Sequence, residues 1–257
     1  MIALSVNVNK VATLRNSRGG AVPSVTAAVE TCLDAGAPGI TVHPRHDERH
    51  IRRSDVGAIA AILAERRARG ARVEYNIEGD PRPDLIDLVL AVRPDQCTLV
   101  PVMPGEITSQ AGWPPETSPA RLEGPVRALQ AASIRVSLFV DPDERAVRWA
   151  KAAGADRIEL YTEPFARAYH RGESESRKSF DAYVRAAELA HSLGLGVNAG
   201  HDLDLENLVL FRNLPHLDEV SIGHAIVARA LFSGLSTVVR EYLDTLAAVD
   251  GVPRPLL

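Results

Sequence analysis

Disulfide frameworks, membrane spans and secretion signals leave sequence marks that are missing here. The 257 residues include two cysteines, Cys32 and Cys97, with no C-x-x-C spacing, which excludes a disulfide framework and favours a reducing, cytoplasmic compartment. No apolar run approaches the ~18 residues of a transmembrane helix. The N-terminal MIALSVNVNK lacks the basic start of a signal peptide, so we expect it to form a first strand.

An excess of positive charge is missing as well. The formal net charge is -4 at pH 7, so neither nucleic acid nor a membrane surface is an expected partner, and any anion site must be a local cluster. No G-x-G-x-x-G turn follows the first apolar run, which argues against an open dinucleotide-binding sheet.

What the sequence does contain is an alternation of short, β-branched apolar runs with amphipathic stretches. The predicted strands are Ala3–Asn7, Gly39–His43, Arg72–Ile77, Gln96–Pro101, Arg135–Asp141, Arg157–Tyr161, Gly194–Asn198 and Glu219–Ile222. The predicted helices are Val25–Ala35, Ser54–Arg69, Pro83–Val92, Ala120–Ala132, Glu144–Ala153, Phe180–Leu193, Leu205–Arg212 and Ala225–Val249. Strands that are apolar on both faces are typical of a covered parallel sheet. Eight such units predict an α/β fold, a (β/α)8 TIM barrel formed as one domain by residues 1–257.

Two of the predicted connections are long. Val102–Pro119 is rich in proline, glycine, serine and threonine, and Pro164–Ser179 shows no hydrophobic period. Both follow the carboxyl ends of predicted strands, where barrels hold their active sites. Long connections in compact domains commonly act as lids or binding loops, which is what we expect of these two.

Groups that can move protons collect at one predicted rim of the barrel. The rim would hold Arg18, His43, Arg45, Glu74, Glu159, His201 and His224. A single histidine at a strand end usually has only a structural role, but three histidines and two acids together favour a reaction site. Inside a closed barrel, Glu74 and Glu159 must either be paired with an arginine or have a raised pKa, and a raised pKa suits a general acid or base.

Glycine and arginine residues near the strand ends indicate anion binding. Gly200 and Gly223 follow strands seven and eight, where a backbone N–H and a helix N-terminus can hold phosphate. The first loop, LRNSRGG, places Arg15 and Arg18 beside two glycines. Two such clusters favour two phosphorylated substrates or one bisphosphate, although the glycines could also serve only the turns.

A metal site is the alternative use of these side chains. His43, Glu74, His201 and His224 could act as ligands. The sequence has no H-x-H or H-E-x-x-H spacing, and Arg45 near His43 would repel a cation. We therefore expect no metal at this site.

Six segments in order along the chain resemble the pyridoxine 5′-phosphate synthase family, also called the PdxJ family. They are NVNKVATLRNSRGG, GITVHPRHDERHI, VSLFVDPD, IELYTEPFA, GLGVNAGHDL and VSIGHAI. The resemblance implies a barrel enzyme, a transferase of vitamin B6 biosynthesis. It would condense 1-deoxy-D-xylulose 5-phosphate with 3-amino-2-oxopropyl phosphate into pyridoxine 5′-phosphate, phosphate and water, without a cofactor. The family also implies a homo-oligomer, such as an octamer made of four dimers, with extra helices outside the barrel.

The resemblance also implies a role for each site residue. His43 and Glu74 would accept protons, His201 would donate one, and Glu159 would stabilise the transition state. Residues that would bind the amino ketone phosphate are Asn7, Arg18, Asp202 (through its backbone), Gly223 and His224. Residues that would bind the deoxyxylulose phosphate are Arg45, His50 and Thr108. Since reactive imines need protection from water, we expect a lid, and Val102–Pro119 is the candidate.

The chain departs from the usual family pattern at two places. Asn9-Lys10 stands where Asp-His is common, as in a sub-branch of the family, so a carboxylate is lost and a flexible cation, which could reach phosphate, is gained. Asp202 stands where glycine is common. The alternatives to a condensing synthase are another phosphosugar barrel, an epimerase or metal-assisted aldolase, and a binding barrel without activity.

Overall fold

Eight parallel strands close into a barrel in the computed structural model, which describes residues 1–101 and 111–248. The strands are β1 (Ala3–Asn7), β2 (Gly39–Val42), β3 (Glu74–Gly79), β4 (Gln96–Leu99), β5 (Arg135–Val140), β6 (Arg157–Tyr161), β7 (Gly196–Gly200) and β8 (Leu217–Ile222). Each strand pairs with the next along the chain, and β8 pairs with β1. The predicted TIM barrel is confirmed.

Helices surround this barrel in the described parts of the chain. They are α1 (Asn9–Asn16), α2 (Val25–Asp34), α3 (Arg53–Ala68), α4 (Pro83–Val92), α5 (Ala120–Ala131), α6 (Glu144–Ala152), α7 (Glu163–Tyr169), α8 (Glu173–Ser192), α9 (Leu208–Phe211), α10 (His224–Ser233) and α11 (Leu235–Ala247). Side-chain caps define several starts: Ser24 accepts the N–H of Ala27 before α2, and Asp143 accepts two N–H groups before α6. Of these described helices, none combines the length and apolar character needed to cross a membrane.

The helical layer differs from the prediction in four places. The segment Pro164–Ser179, predicted as a loop, forms α7 and the start of α8. The reason is aromatic packing, since Phe165 is fully buried and its ring centroid lies 5.0 Å from that of Phe211. The predicted last helix is divided at Gly234, whose φ of 82° ends α10. The predicted helix Leu205–Arg212 is reduced to α9, and α1 had not been predicted.

The interior of the barrel is polar, although its strands looked apolar on both faces. Ser5 and Thr41 are joined by a 2.6 Å hydrogen bond between their hydroxyls, and the Thr98 hydroxyl donates to Asn76 at 3.1 Å. The apolar residues on the other face of each strand pack under the helices; Tyr75, for example, donates from its hydroxyl to the carbonyl of Val56 on α3. The apolar core therefore forms a layer between the strands and the surrounding helices. Polar and ionisable side chains occupy the interior of the barrel along its axis.

Candidate active site

A cavity of about 310 Å³ opens at the carboxyl ends of the strands. Nine of the predicted site residues line it: Asn7, His43, Arg45, His50, Glu159, His201, Asp202, Gly223 and His224. Asn9, Lys10, Glu78 and Ser221 line it as well. The barrel thus brings together side chains that are far apart in the sequence, as the strand-end argument predicted.

Glu74 does not lie at this mouth, so its predicted position on the rim is wrong. It is the first residue of β3 and forms an ion pair with Arg135 at the opposite end of the barrel. There it lines a separate cavity together with Arg67 and Asp95. The strand begins and ends two residues later than predicted, and Glu78 takes the position at the mouth. The alternative interpretation of Glu74, a barrel-interior pair with an arginine, is the one that holds.

Two further predicted residues are not seen at the mouth. Arg18 is exposed in the turn after α1 and does not line the cavity. Thr108 lies outside the described residues. Arg15, which lies near Arg18 in the LRNSRGG motif, is buried and forms an ion pair with Asp55 at 2.6 Å. Arg15 therefore anchors α1 to α3 and is not available to a ligand.

His43 and Glu78 face each other at the mouth, with Nδ1 of His43 3.8 Å from Oε2 of Glu78. Burial, together with the charges of Glu159 and Glu219, raises the pKa of Glu78 well above its ordinary value. Burial, together with the charge of His50, lowers the pKa of His43 well below its ordinary value. The pair therefore favours a neutral imidazole beside a carboxyl group that retains its proton.

Glu159 lies on β6 and is only 2% exposed. Burial raises its pKa to about 7, against the opposing effect of the neighbouring Thr98 hydroxyl. Its Oε2 has no hydrogen-bond partner in the described parts of the chain. The carboxyl group lies so close to Gly200 that a Cβ there would come 2.5 Å from Oε1. A buried carboxyl group that titrates near neutral pH in the wall of the cavity can transfer a proton or stabilise a cation.

His201 lies across the mouth, at the end of β7. Its ring contacts Phe139 and Tyr161, with centroid separations of 5.0 and 5.6 Å. Burial lowers the pKa of His201, while the charge of Asp202 raises it. A histidine with a lowered pKa is a strong proton donor once protonated, and the adjacent carboxylate helps it to gain that proton.

Cationic and backbone donors flank these acid–base groups. Lys10 lines the cavity from the first turn of α1, and Arg45 lines it from the loop after β2. His50, whose pKa burial lowers to about 4, lines it as well. On the other side of β1 lies β8, and after β8 the helix α10 begins at His224, directly after Gly223. A Cβ at Gly223 would lie 2.8 Å from the carbonyl oxygen of Asn7, so only glycine fits this approach. A helix N-terminus with its free N–H groups attracts anions.

Comparison with known proteins bears directly on the identity of this site. The family described as "Pyridoxal phosphate biosynthesis protein PdxJ" matches residues 4–248. The chain belongs to the PdxJ family. Pyridoxine 5′-phosphate synthase of Porphyromonas gingivalis is 51% identical over 96% of this chain and 100% of its own length. The protein of the same name from Leptospira biflexa is 50% identical over 96% and 98%. The predicted place in vitamin B6 biosynthesis and the enzymatic character are confirmed.

Solved structures that resemble this PdxJ-family chain support the fold alone. The 3-hexulose-6-phosphate synthase from Salmonella typhimurium superposes with a TM-score of 0.65 over 95% of this chain and 98% of its own, at 15% sequence identity. The thiamine phosphate pyrophosphorylase from Pyrococcus furiosus gives 0.60 over 95% of both chains, at 14% identity. Both agree with a (β/α)8 barrel.

Sequence reasoning did not assign Glu78 and Ser221 of this PdxJ-family site. The alternation of side chains along β3 and β8 indicates that both face the barrel interior, but their position near the carboxyl end follows only from how the strands pair. Among the described residues, no three His, Cys, Asp or Glu side chains come together in an arrangement that could hold a metal ion.

Proposed function

We propose that this PdxJ-family enzyme condenses 1-deoxy-D-xylulose 5-phosphate with 3-amino-2-oxopropyl phosphate at the mouth of the barrel. The products are pyridoxine 5′-phosphate, inorganic phosphate and water. The observation that carries the proposal is that one cavity is lined by His43, Glu78, Glu159 and His201 and also by candidate anion-binding groups, namely Lys10, Arg45 and Gly223. Two phosphate monoesters and several proton transfers require such an arrangement.

The two phosphate groups would bind on opposite sides of the acid–base groups. The deoxyxylulose phosphate fits the side with Arg45 and Lys10, which carry positive charge, and with His50, whose neutral ring can donate a hydrogen bond. The amino ketone phosphate fits the side where Gly223 and His224 begin α10, with Asn7 beside them. The assignments of Arg18 to the amino ketone phosphate and of Thr108 to the deoxyxylulose phosphate rest on the family resemblance alone.

Proton transfers are the main chemical work of this reaction. Imine formation, enolisation, dehydration and ring closure each remove a proton from one atom and add one to another. His43 is neutral and can accept a proton, and Glu78 becomes a strong base once it ionises, because its pKa is raised. His201 donates the proton to a leaving oxygen, and Glu159 stabilises positive charge that develops on nitrogen. In this assignment Glu78 takes the role that had been predicted for Glu74.

Departure of phosphate leaves negative charge that must be stabilised. Lys10, Arg45 and the N-terminus of α10 supply donors that are already oriented toward the cavity. A lid over the mouth would keep water from the imines, and the proposed lid Val102–Pro119 is described only from residue 111 onward.

The decisive assay mixes both substrates with purified enzyme in the presence of a chelator. The proposed synthase forms a fluorescent pyridine and one equivalent of phosphate, and a chelator leaves the rate unchanged. A metal-assisted aldolase would lose its activity with chelator. A binding protein without activity would be stabilised thermally by the substrates but would form no pyridine. Absence of pyridine with both substrates present would refute the proposal.

Assembly and location complete the proposal. We expect a cytoplasmic homo-oligomer, since Cys32 and Cys97 are free and buried and Phe232 and Leu231 on α10 are 92% and 67% exposed. Light scattering of the purified protein measures the assembly directly; a monomer at micromolar concentration would contradict it.

A further inference from the structure

The backbone at His201 has a conformation that residues with side chains rarely adopt. Its φ is 80°, and the φ of the next residue, Asp202, is 56°. Both values lie in the left-handed region, which costs free energy for any residue other than glycine. Two consecutive residues persist there only if surrounding contacts hold them, so the contacts around this turn identify what fixes His201.

Thr162, at the end of β6, supplies the first of these contacts. Its hydroxyl donates to the carbonyl oxygen of Gly200 at 2.7 Å and is also within hydrogen-bonding distance of the carbonyl oxygen of His201. Its backbone N–H donates to the same Gly200 carbonyl at 3.0 Å. Thr162 is fully buried and does not line the cavity, so it contacts the backbone that carries His201 and not a substrate.

Asn207 supplies a second contact on the other side of the turn. Its amide Nδ2 donates to the carbonyl oxygen of Asp202 at 3.0 Å, and its Oδ1 accepts the N–H of Asp204 at 3.0 Å. Asn207 is fully buried as well. The carbonyls on both sides of the left-handed turn are therefore fixed by buried side chains from neighbouring elements.

The direction of the His201 ring depends on this turn. With the observed φ, the ring packs between Phe139 and Tyr161 at the cavity wall. If the residue relaxed to the extended φ of an ordinary strand end, the side chain would rotate away from these two rings. The Thr162 hydroxyl contacts the carbonyl oxygens of both Gly200 and His201 and so holds them close together. An apolar side chain of the same shape cannot form these contacts.

We propose that Thr162 is a positioning residue for the proton donor His201, holding its backbone in the left-handed conformation that aims the imidazole into the cavity. The inference rests on the proposed function only for the role of His201 in turnover. The position of the ring itself can be tested without turnover.

The test uses Thr162→Val, which removes the hydroxyl and keeps the shape, and Thr162→Ser, which restores the hydroxyl. A matched control is Ser176→Ala, because Ser176 is also buried and also donates a 2.8 Å hydrogen bond to a carbonyl, that of Glu173, away from the mouth. The titration of His201 is followed by NMR of its ring protons. The charged and titratable groups facing it are Asp202, Lys10, His43 and Tyr161.

In Thr162→Val we expect the His201 titration to move up toward that of an exposed histidine, because the ring leaves its buried position. Turnover should fall at least about tenfold, since misplacement of a catalytic group costs rate, while KM changes by less than about twofold. Thr162→Ser should restore both readouts, and Ser176→Ala should change stability only. If Thr162→Val is too unstable, Thr162→Ala, which leaves room for water, is measured in the same way.

An unchanged His201 titration in Thr162→Val, with turnover as in Ser176→Ala, would overturn the inference. Failure of Thr162→Ser to restore the titration would overturn it as well, since the hydroxyl would then not be the cause. If the wild-type enzyme formed no pyridine, the proposed function would fail, but the titration would still decide whether Thr162 positions His201.

Discussion

Asn9 and His43 are joined by a hydrogen bond in which Oδ1 of Asn9 accepts the backbone N–H of His43 at 2.9 Å. The last ladder partners of β1 and β2 are Asn7 and Thr41. After Asn7 the chain enters α1, so no backbone of β1 extends beside His43. The Asn9 side chain accepts the His43 N–H in place of a strand carbonyl. The residue that follows, Lys10, is thereby placed at the cavity from the first turn of α1.

Lys10→Met tests whether this cation binds a substrate phosphate. A charge-assisted hydrogen bond contributes about 1.5–3 kcal/mol, so KM for one of the two substrates should rise at least about tenfold with a smaller change in kcat. The control is Lys151→Met, since Lys151 is exposed on α6 and should leave both constants unchanged. Equal KM values in wild type and Lys10→Met would show that Lys10 does not contact phosphate.

Gly200→Ala tests the position of Glu159. The new Cβ would lie 2.5 Å from Oε1 of Glu159 and 3.3 Å from the carbonyl oxygen of Ser221, so the carboxyl group must move. We expect turnover to fall about a hundredfold, the range seen when a catalytic group is misplaced.

The matched glycine is Gly57, which lies in α3 with nothing within 4 Å of an added Cβ. Gly57→Ala should keep full activity and raise the free energy of unfolding by about 1 kcal/mol, because alanine favours the helix. Full activity in Gly200→Ala would mean that Glu159 can move without consequence, which contradicts its proposed role.

The pH dependence of stability follows from the buried acids and histidines. Burial raises the pKa of Glu219 to about 8 and that of Glu159 to about 7, from an ordinary value of 4.5. The folded state keeps these protons when the unfolded chain has lost them, so their contribution is complete below pH 4.5 and is lost as the pH rises to about 8. The histidines His43, His50 and His201 act in the opposite sense, but only below their ordinary pKa of 6.5.

Between pH 6.5 and 8 the acids therefore decide the slope, and the free energy of unfolding should fall. Glu219 alone accounts for at most about 1.4 kcal/mol per pH unit. Urea unfolding at a series of pH values measures this fall. Glu219→Gln should flatten it, and Glu188→Gln, at an exposed position on α8, should leave it unchanged. Equal slopes in all three proteins would contradict the raised pKa of Glu219.

The strand order and most strand starts could be predicted from the sequence, because each βα unit carries its own apolar run and helix pattern. The depth of a residue within the barrel could not. Glu74 and Glu78 lie on the same inner face of β3, four residues apart, and an alternation with a period of two does not distinguish them. Depth is set by the pairing of Glu74 with Gly39 on the neighbouring strand, which is a tertiary contact.

The polar interior escaped sequence reasoning for a related reason. Single residues such as Thr41, Asn76 and Ser137 interrupt apolar runs and resemble ordinary variation. Only closure of the barrel shows that they share one interior, where Asn76 donates to Thr41 and accepts from Thr98. The helix α7 was missed because a proline and several charged residues suggested a loop, whereas Phe165 anchors the segment in an aromatic cluster.

The most direct test of the whole account compares Glu78→Gln with Glu74→Gln, two identical changes at opposite ends of one strand. Phosphorus NMR follows the two substrate phosphate signals as they give one new monoester signal and inorganic phosphate. Loss of a general acid–base group costs about a hundredfold or more, so Glu78→Gln should nearly stop this conversion. Glu74→Gln, which can still accept a hydrogen bond from Arg135, should turn over at a rate close to that of the wild type. Wild-type turnover in Glu78→Gln, or failure of Glu74→Gln alone, would contradict an active site at the carboxyl ends of the strands.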